Sequence, residues 1–347
     1  MKPSPTDKVY PVARIAPILR SLEDEGVAAS DALRRSISPS QSRSPATRVS
    51  LNQIIECYRN AIRLSLDPFF AYHTGLRFHV SSFGMYGFAI LSSTDFRQAS
   101  RFAEQYQQLA FSTVDIRFKE ETDYAVWTIE PAPLPSVDAT LYKFIVEMQF
   151  GIATSLHRDV IAPSFAPREL HVTYESVAET KSYAAVFGCP VRFRQKKNAF
   201  VLDKHWLDGP AKLGNELTYL ELIKICDWLL DQMQLRVGIA GSIREAFLIN
   251  LAQPTTLDAI ARRLKLSKGT LKRRLREDGT SYRKVVDELK TQLAIKYLRD
   301  TDLTVEDIAS SLGFSDATNF RHAFRRWTKK TPGEFRRPSK SSQRFVA

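Results

Sequence analysis

The chain has 347 residues, 44% hydrophobic and 25% charged, a composition ordinary for globular domains and long enough for two or three of them. Cys57, Cys189 and Cys226 lie far apart and form no CxxC or Cys/His cluster, which excludes a disulfide framework and a zinc site and fits a reducing compartment. The net charge of +12 is uneven: residues 254–338 hold 20 Lys/Arg against 11 Asp/Glu, so a basic block that suits a polyanion adjoins a nearly balanced remainder.

The opening Met1–Asp7 lacks the apolar core of a signal peptide, and no uncharged apolar run approaches a membrane span, so the expected location is cytoplasmic, with no membrane partner. Residues 12–22 and 50–65 read as amphipathic helices, and the Ser-, Pro- and Arg-rich stretch 36–48 as a loop. Gly84–Leu91 reads as a buried strand or strand-like turn, its glycines permitting close packing. Thr94 is expected to cap a helix of about a dozen residues ending near Leu109. Thr113–Lys119 and Tyr124–Ile129 alternate polar and apolar residues, which predicts a hairpin across the acidic Glu120–Asp123 turn. A helix over 137–157 follows, then short strands at 170–174, 191–193 and 200–202, with a helix at 180–187 before the second of them. Residues 1–210 are therefore expected to form an α+β domain with segregated helices and strands. Its aromatics, among them Phe83, Tyr86 and Phe150, either line a ligand cavity or fill a core.

No catalytic residue, cofactor or metal site emerges. His73 and His79 are six apart, off one helix face, and no His or acid is tied by spacing to Cys189. Residues 211–240 read as a helical linker. Leu217, Leu220, Ile223, Ile225, Leu229 and Leu230 offer either a homodimer contact or packing against the N-terminal domain.

Residues 241–338 carry one small pattern twice, about 48 residues apart: Leu257, Ile260, Ala261, Leu264, Leu266, then Val305, Ile308, Ala309, Leu312, Phe314. Each set marks one buried helix face that breaks at a tight turn before a second helix. Thr304–Asp307 forms a capping box, and Gly313 supplies the turn that Lys265 occupies in the first copy. Ser267 and Ser315 are expected N-caps of the second helices. Tyr282–Arg299 predicts a connecting helix of roughly 27 Å. The reading is an all-α domain with two helix-turn-helix units joined by a long helix, followed by a basic tail at 339–347.

Leu271, Leu275, Phe320 and Phe324 face the core. Lys268, Thr270, Lys272 and Arg273, and then Ala317, Thr318, Arg321 and His322, are thereby left as candidate contacts to DNA bases. Ser267, Arg274, Arg276, Ser315, Arg325, Arg326, Lys329 and Lys330 are candidate phosphate contacts.

Ala309–Ser315, Asn319–Trp327 and Thr331–Arg336 closely resemble the signature of AraC/XylS-type transcriptional regulators, a likeness that spans roughly 90 residues. The resemblance implies base contacts at Lys272, Arg273, Ala317, Thr318 and His322, with Gly269 at a further such position where it offers no side chain. Gly75–Phe78, Gly84–Ser93 and Tyr183–Phe193 resemble the arabinose-binding-like effector domain of a subfamily of these regulators. That likeness implies a sensor domain and a small-molecule effector, without implying a sugar. Promoter DNA and RNA polymerase are the implied partners, and activation the implied sign. Two alternatives stand beside this reading: a repair or transferase enzyme fused to a DNA-reading domain, and a ligand-free regulator controlled by dimerisation.

Overall fold

The computed structural model describes residues 3–133, 137–175, 180–209, 211, 213–234, 237–248 and 256–336. The expected basic tail at 339–347 lies outside the described residues. The chain divides into two units, one spanning Ser4–Met233 and one beginning at Gln234.

The first unit opens with a two-stranded ribbon, β1 (Tyr10–Pro11) and β2 (Arg48–Val49). Around it run α1 (Ala16–Asp24), α2 (Ala29–Ala32), α3 (Pro39–Ser42) and α4 (Leu51–Leu64). Ser50 and Gln53 close a capping box at the start of α4, and Ser38 and Gln41 do so for α3, a helical turn inside the expected loop. Next come α5 (Phe70–Gly75), α6 (Met85–Ser92), α7 (Phe96–Gln105) and α8 (Gln107–Ala110). The sheet comprises β3 (Val114–Glu120), β4 (Tyr124–Pro131), β5 (Glu169–His171), β6 (Val191–Arg192) and β7 (Asn198–Asp203) in the order β3-β4-β7-β5-β6. All pairings are antiparallel except β5 with β6. β3 and β4 form the expected hairpin, and on β4 the alternate residues Ala125, Trp127 and Ile129 are buried. β7 is buried from Asn198 through Leu202.

The long helix α9 (Ala139–Val160) starts at an Asp138 cap and is buried continuously from Phe144 to Ile152. It meets α5 backbone to backbone. A Cβ added at Gly151 would lie 2.3 Å from the Tyr72 carbonyl oxygen, so only glycine fits there. α10 (Thr180–Phe187) and α11 (Glu216–Gln234) complete the unit.

Three expectations are corrected here. Gly84–Leu91 is mostly helix α6, not a strand, because a short run that is apolar on every side has no periodicity to separate the two. Gly87 sits in that helix under Val80, whose carbonyl oxygen would be 1.8 Å from an added Cβ. The cap before α7 is Asp95, which accepts from the Gln98 N–H at 2.7 Å, and the expected single helix divides at Tyr106. Residues 213–233 are no linker. Tyr219, Leu222 and Cys226 on α11 are buried, and the Tyr106 hydroxyl donates to Asp227 Oδ1 at 2.7 Å.

The second unit is all α: α12 (Gly238–Leu248), α13 (Leu257–Arg263), α14 (Lys268–Glu277), α15 (Tyr282–Asp300), α16 (Val305–Ser311), α17 (Ala317–Thr328) and α18 (Pro332–Arg336). It holds two cores. Ile243, Ala246, Ile260, Ala261, Leu271, Leu275 and Val285 form the first. Ala294, Leu298, Ile308, Ala309, Leu312, Phe320 and Phe324 form the second. α15 contributes Val285 to one and Ala294 and Leu298 to the other, so it joins the two.

Candidate nucleic-acid interface

Each half of the second unit is built the same way. α13 ends where Leu266 N–H reaches the Ala261 carbonyl at 2.9 Å, and α16 ends where Phe314 N–H reaches Ala309 at the same distance. The turn residue is left-handed in both, Lys265 at φ 54° and Gly313 at φ 68°. The two copies differ in one residue after the turn. Ser267 directly follows Leu266 and caps α14, accepting from the Thr270 N–H at 3.1 Å. After Phe314 the chain takes both Ser315 and Asp316, and Asp316 is the cap, accepting from the Asn319 N–H at 2.7 Å. Ser315 is therefore not the N-cap. Its hydroxyl donates to Asp316 Oδ2 at 3.1 Å and accepts from the Asn319 amide at 2.9 Å. The extra residue shifts the repeat from 48 in the first helices to 49 in the second, so Ser267 matches Asp316.

With that register the outward faces align. Leu271 and Leu275 are fully buried, and Arg273, two residues from each, lies on the opposite side of α14. Gly269 and Arg276 continue its stripe. Phe320 and Phe324 hold α17 in the same phase, which turns Thr318, His322 and Arg325 outward at the matching places.

Of the candidate base contacts, Lys268, Lys272, Arg273, Thr318, Arg321 and His322 are exposed. Thr270 is half-buried, its hydroxyl 2.9 Å from that of Ser267. Ala317 is half-buried against the second core. Among the candidate phosphate contacts Ser267, Arg274, Arg276, Ser315, Arg325, Arg326, Lys329 and Lys330 are all exposed. Several cations are already paired. Arg273 meets Glu277 at 2.7 Å, Arg321 meets Glu306 at 2.8 Å, Lys268 meets Asp258 at 2.9 Å and Arg326 meets Asp287 of α15 at 3.2 Å. Lys329 is the left-handed C-cap of α17. Arg276 and Arg325, read from sequence as phosphate contacts, share the outward stripes of Arg273 and His322; the 49-residue spacing is the signal that locates them.

The Lys290 ammonium on α15 lies 4.3 Å from the Phe314 ring centroid and 5.8 Å from that of Phe247 on α12. One side chain thus touches both halves. Elsewhere chemistry is muted. The three cysteines are buried, and burial pushes the thiols of Cys57 and Cys226 up to about 11 and that of Cys189 up to about 12. Among the described residues no group of three His, Cys, Asp or Glu side chains is placed to hold a metal ion, and no helix is long and apolar enough to cross a membrane.

Two capped helices presenting matched outward side chains from two linked cores define a double helix-turn-helix DNA-binding unit. Residues 26–211, more than half of the chain, match the family model described as the arabinose-binding domain of AraC transcription regulators, and residues 260–338 match a helix-turn-helix domain. The chain belongs to the AraC family of DNA-binding transcription regulators, with an N-terminal ligand-binding-type domain of the arabinose-binding class. It is 29% identical over 335 residues to the ornithine utilization regulator of Pseudomonas aeruginosa, covering 95% of this chain and 97% of that one. It is 25% identical over 267 residues to the regulator VqsM of the same organism, covering 76% and 82%. The fold is that of the crystal structure of the transcriptional regulator CdpR from Pseudomonas aeruginosa, with a TM-score of 0.50, 21% identity and coverage of 93% and 98%. These relatives are regulators, not enzymes.

Proposed function

We propose that α14 and α17 enter successive major grooves of promoter DNA, with Arg273 and Lys272 reading bases in one half and Thr318 and His322 in the other. Arg suits guanine N7 and O6, and the Thr318 methyl suits thymine. Lys268, Arg321, Arg276 and Arg325 flank these positions, while Ser267, Arg274, Arg326, Lys329 and Lys330 meet phosphates. Thr270, Ala317 and Ser315 support the helices that carry the readers.

The single observation behind this reading is that both helices turn equivalent residues outward, 49 apart, from two cores joined by α15. A helix of 19 residues spans roughly 28 Å, compatible with one DNA turn of about 34 Å between reading heads. Under this reading the protein works in the cytoplasm as an activator that contacts RNA polymerase, and a small effector in the N-terminal unit sets its activity.

A second copy of the chain is the proposed partner of α11. Leu217, Leu220 and Trp228 are 77%, 46% and 57% exposed on the side of the helix away from Tyr219, Leu222 and Cys226, with Lys224 between the last two. Selection of sites from random DNA followed by footprinting tests the main reading. A protected site of about two helical turns is expected, and equal affinity for random duplexes at physiological salt would end it. Sedimentation of the full chain tests the dimer, with Trp228→Ala expected to shift it to monomer.

A further inference from the structure

Between the sheet and the helices of the N-terminal unit lies a cavity of about 60 Å³. Its walls are mostly hydrocarbon, with Tyr86, Phe96 and Ile116 among them; Gln149 also lines it, and no Asp, Glu, Lys or Arg does. Three lining polar atoms are buried without a hydrogen-bond partner: Ser100 Oγ on α7, Trp127 Nε1 on β4 and His157 Nε2 on α9. Such orphans are scarce in folded proteins, and here three gather around one space.

The chemistry of each is defined. His157 Nδ1 lies 2.6 Å from the Ala153 carbonyl, so Nδ1 carries the proton and Nε2 is left as a bare acceptor. Burial holds that imidazole down to about 4, hence neutral. Trp127 can only donate, and Ser100 can do either. A buried water needs two to four polar partners. The polar groups on the wall are few, chiefly these three atoms and Gln149, and the rest is hydrocarbon, which suits the face of an organic ring better than a cluster of waters.

A second cleft in the unit, near Asp67 and Glu147, is a weaker candidate. Asp67 already holds His73 at 2.6 Å, and Glu147 accepts from the Tyr174 hydroxyl at 3.0 Å.

We propose that the cavity is the effector site, and that it takes an uncharged one-ring alcohol or phenol. The ring packs on Tyr86, Phe96 and Ile116, and the hydroxyl donates to His157 Nε2 while accepting from Trp127 Nε1–H or Ser100. A carboxylate would be desolvated with no cation to meet it, and a sugar would bring more hydroxyls than the few polar groups on the wall can serve. The occupant also sits against a helix that touches α11. α7 carries Ser100, and its Phe102 ring is 6.0 Å from Tyr219, while Tyr106, just beyond its end, bonds Asp227. This site assignment rests on the ligand-controlled regulator reading.

The test is calorimetric titration of the full chain with phenol, toluene and benzoate. Saturable binding of one phenol is expected, with toluene and benzoate weaker by about tenfold or more. Trp127→Phe keeps an aromatic side chain but removes the N–H together with the five-membered ring that bears it; it should weaken phenol by about tenfold more than it weakens toluene. Ser100→Leu should fill the cavity and abolish both. Absence of saturable phenol binding, or phenol and toluene binding alike in native protein, would overturn the assignment. Site-selective DNA binding by the same preparation separates the two failures. If it persists while phenol is silent, the site assignment alone falls; if it is absent, the regulator reading falls.

Discussion

At the scale of single residues, the two half-units differ where their chemistry is most exacting. Lys265 holds a left-handed conformation, φ 54°, that its counterpart Gly313 adopts freely. An L-residue there costs roughly 1–2 kcal/mol, partly offset by the entropy a glycine loses on folding. Lys265→Gly should therefore stabilise the second unit by up to about 1 kcal/mol, read as a raised urea midpoint with unchanged slope. Arg273 is held along its own helix by Glu277, a partner it would have to leave to make the proposed base contact. Arg273→Ala should cost about 1–3 kcal/mol on the preferred site and relax one base position in a competition assay. An equal loss on every sequence would make it a phosphate contact. Much of this was legible: the Ser267 cap, the Thr304–Asp307 box and the buried Leu271, Leu275, Phe320 and Phe324 all follow from type and spacing. Asp316 was not, because Ser315 is an equally good cap by type and only the inserted residue decides between them.

At the scale of elements, the reading heads carry unequal charge. α13–α14, residues 257–277, hold eight Lys/Arg against two Asp/Glu, whereas α16–α17, residues 305–328, hold three against three. The second head even places a carboxylate, Asp316, at its N-terminus, and hydrogen bonding from the Asn319 N–H holds it below the usual carboxylate range. Non-specific affinity should then come chiefly from the first head. Replacing Arg274 by Ala should flatten the log Kd against log salt plot by about one phosphate contact. Arg321→Ala, its cation already paired with Glu306, should change that slope little. Which elements form was readable wherever a face alternates or repeats, as in β3, β4, α4 and α9. It was unreadable in α6, apolar on all sides, and in α11, which carries apolar residues on both its buried and its exposed side. The cavity could not be read at all, since its lining comes from α6, α7, β3, β4 and α9 and exists only once they pack.

At the scale of the whole molecule, two buried titratable groups in the N-terminal unit set opposing pH limits. His157, held down to about 4 by burial, resists protonation when folded but not when unfolded. Its contribution is intact above pH ~6.5 and is lost as pH falls toward 4. Burial pushes Glu147 up to about 7 despite Lys143 and the Tyr174 hydroxyl. Its contribution is intact below pH ~4.5 and is lost as pH rises through 7. The slopes oppose each other between roughly pH 4.5 and 6.5, so stability should be flat there and decline on either side. Glu147→Gln should remove the alkaline decline, gaining on the order of 2–3 kcal/mol at pH 8 and little at pH 5 in chemical denaturation. An unchanged alkaline limb would refute the assignment.

The Lys290 ammonium, set between Phe314 and Phe247, has a thermal consequence. Rings from separate lobes lean on one charge in the middle of a shared rod, so neither lobe can loosen without disturbing its neighbour. Scanning calorimetry of the full chain should register the two lobes as one cooperative heat-absorption peak. Lys290→Ala should widen that peak or split it in two. A protein built this way would deliver its two grips on the double helix together, and a defect in one hand would slacken the other.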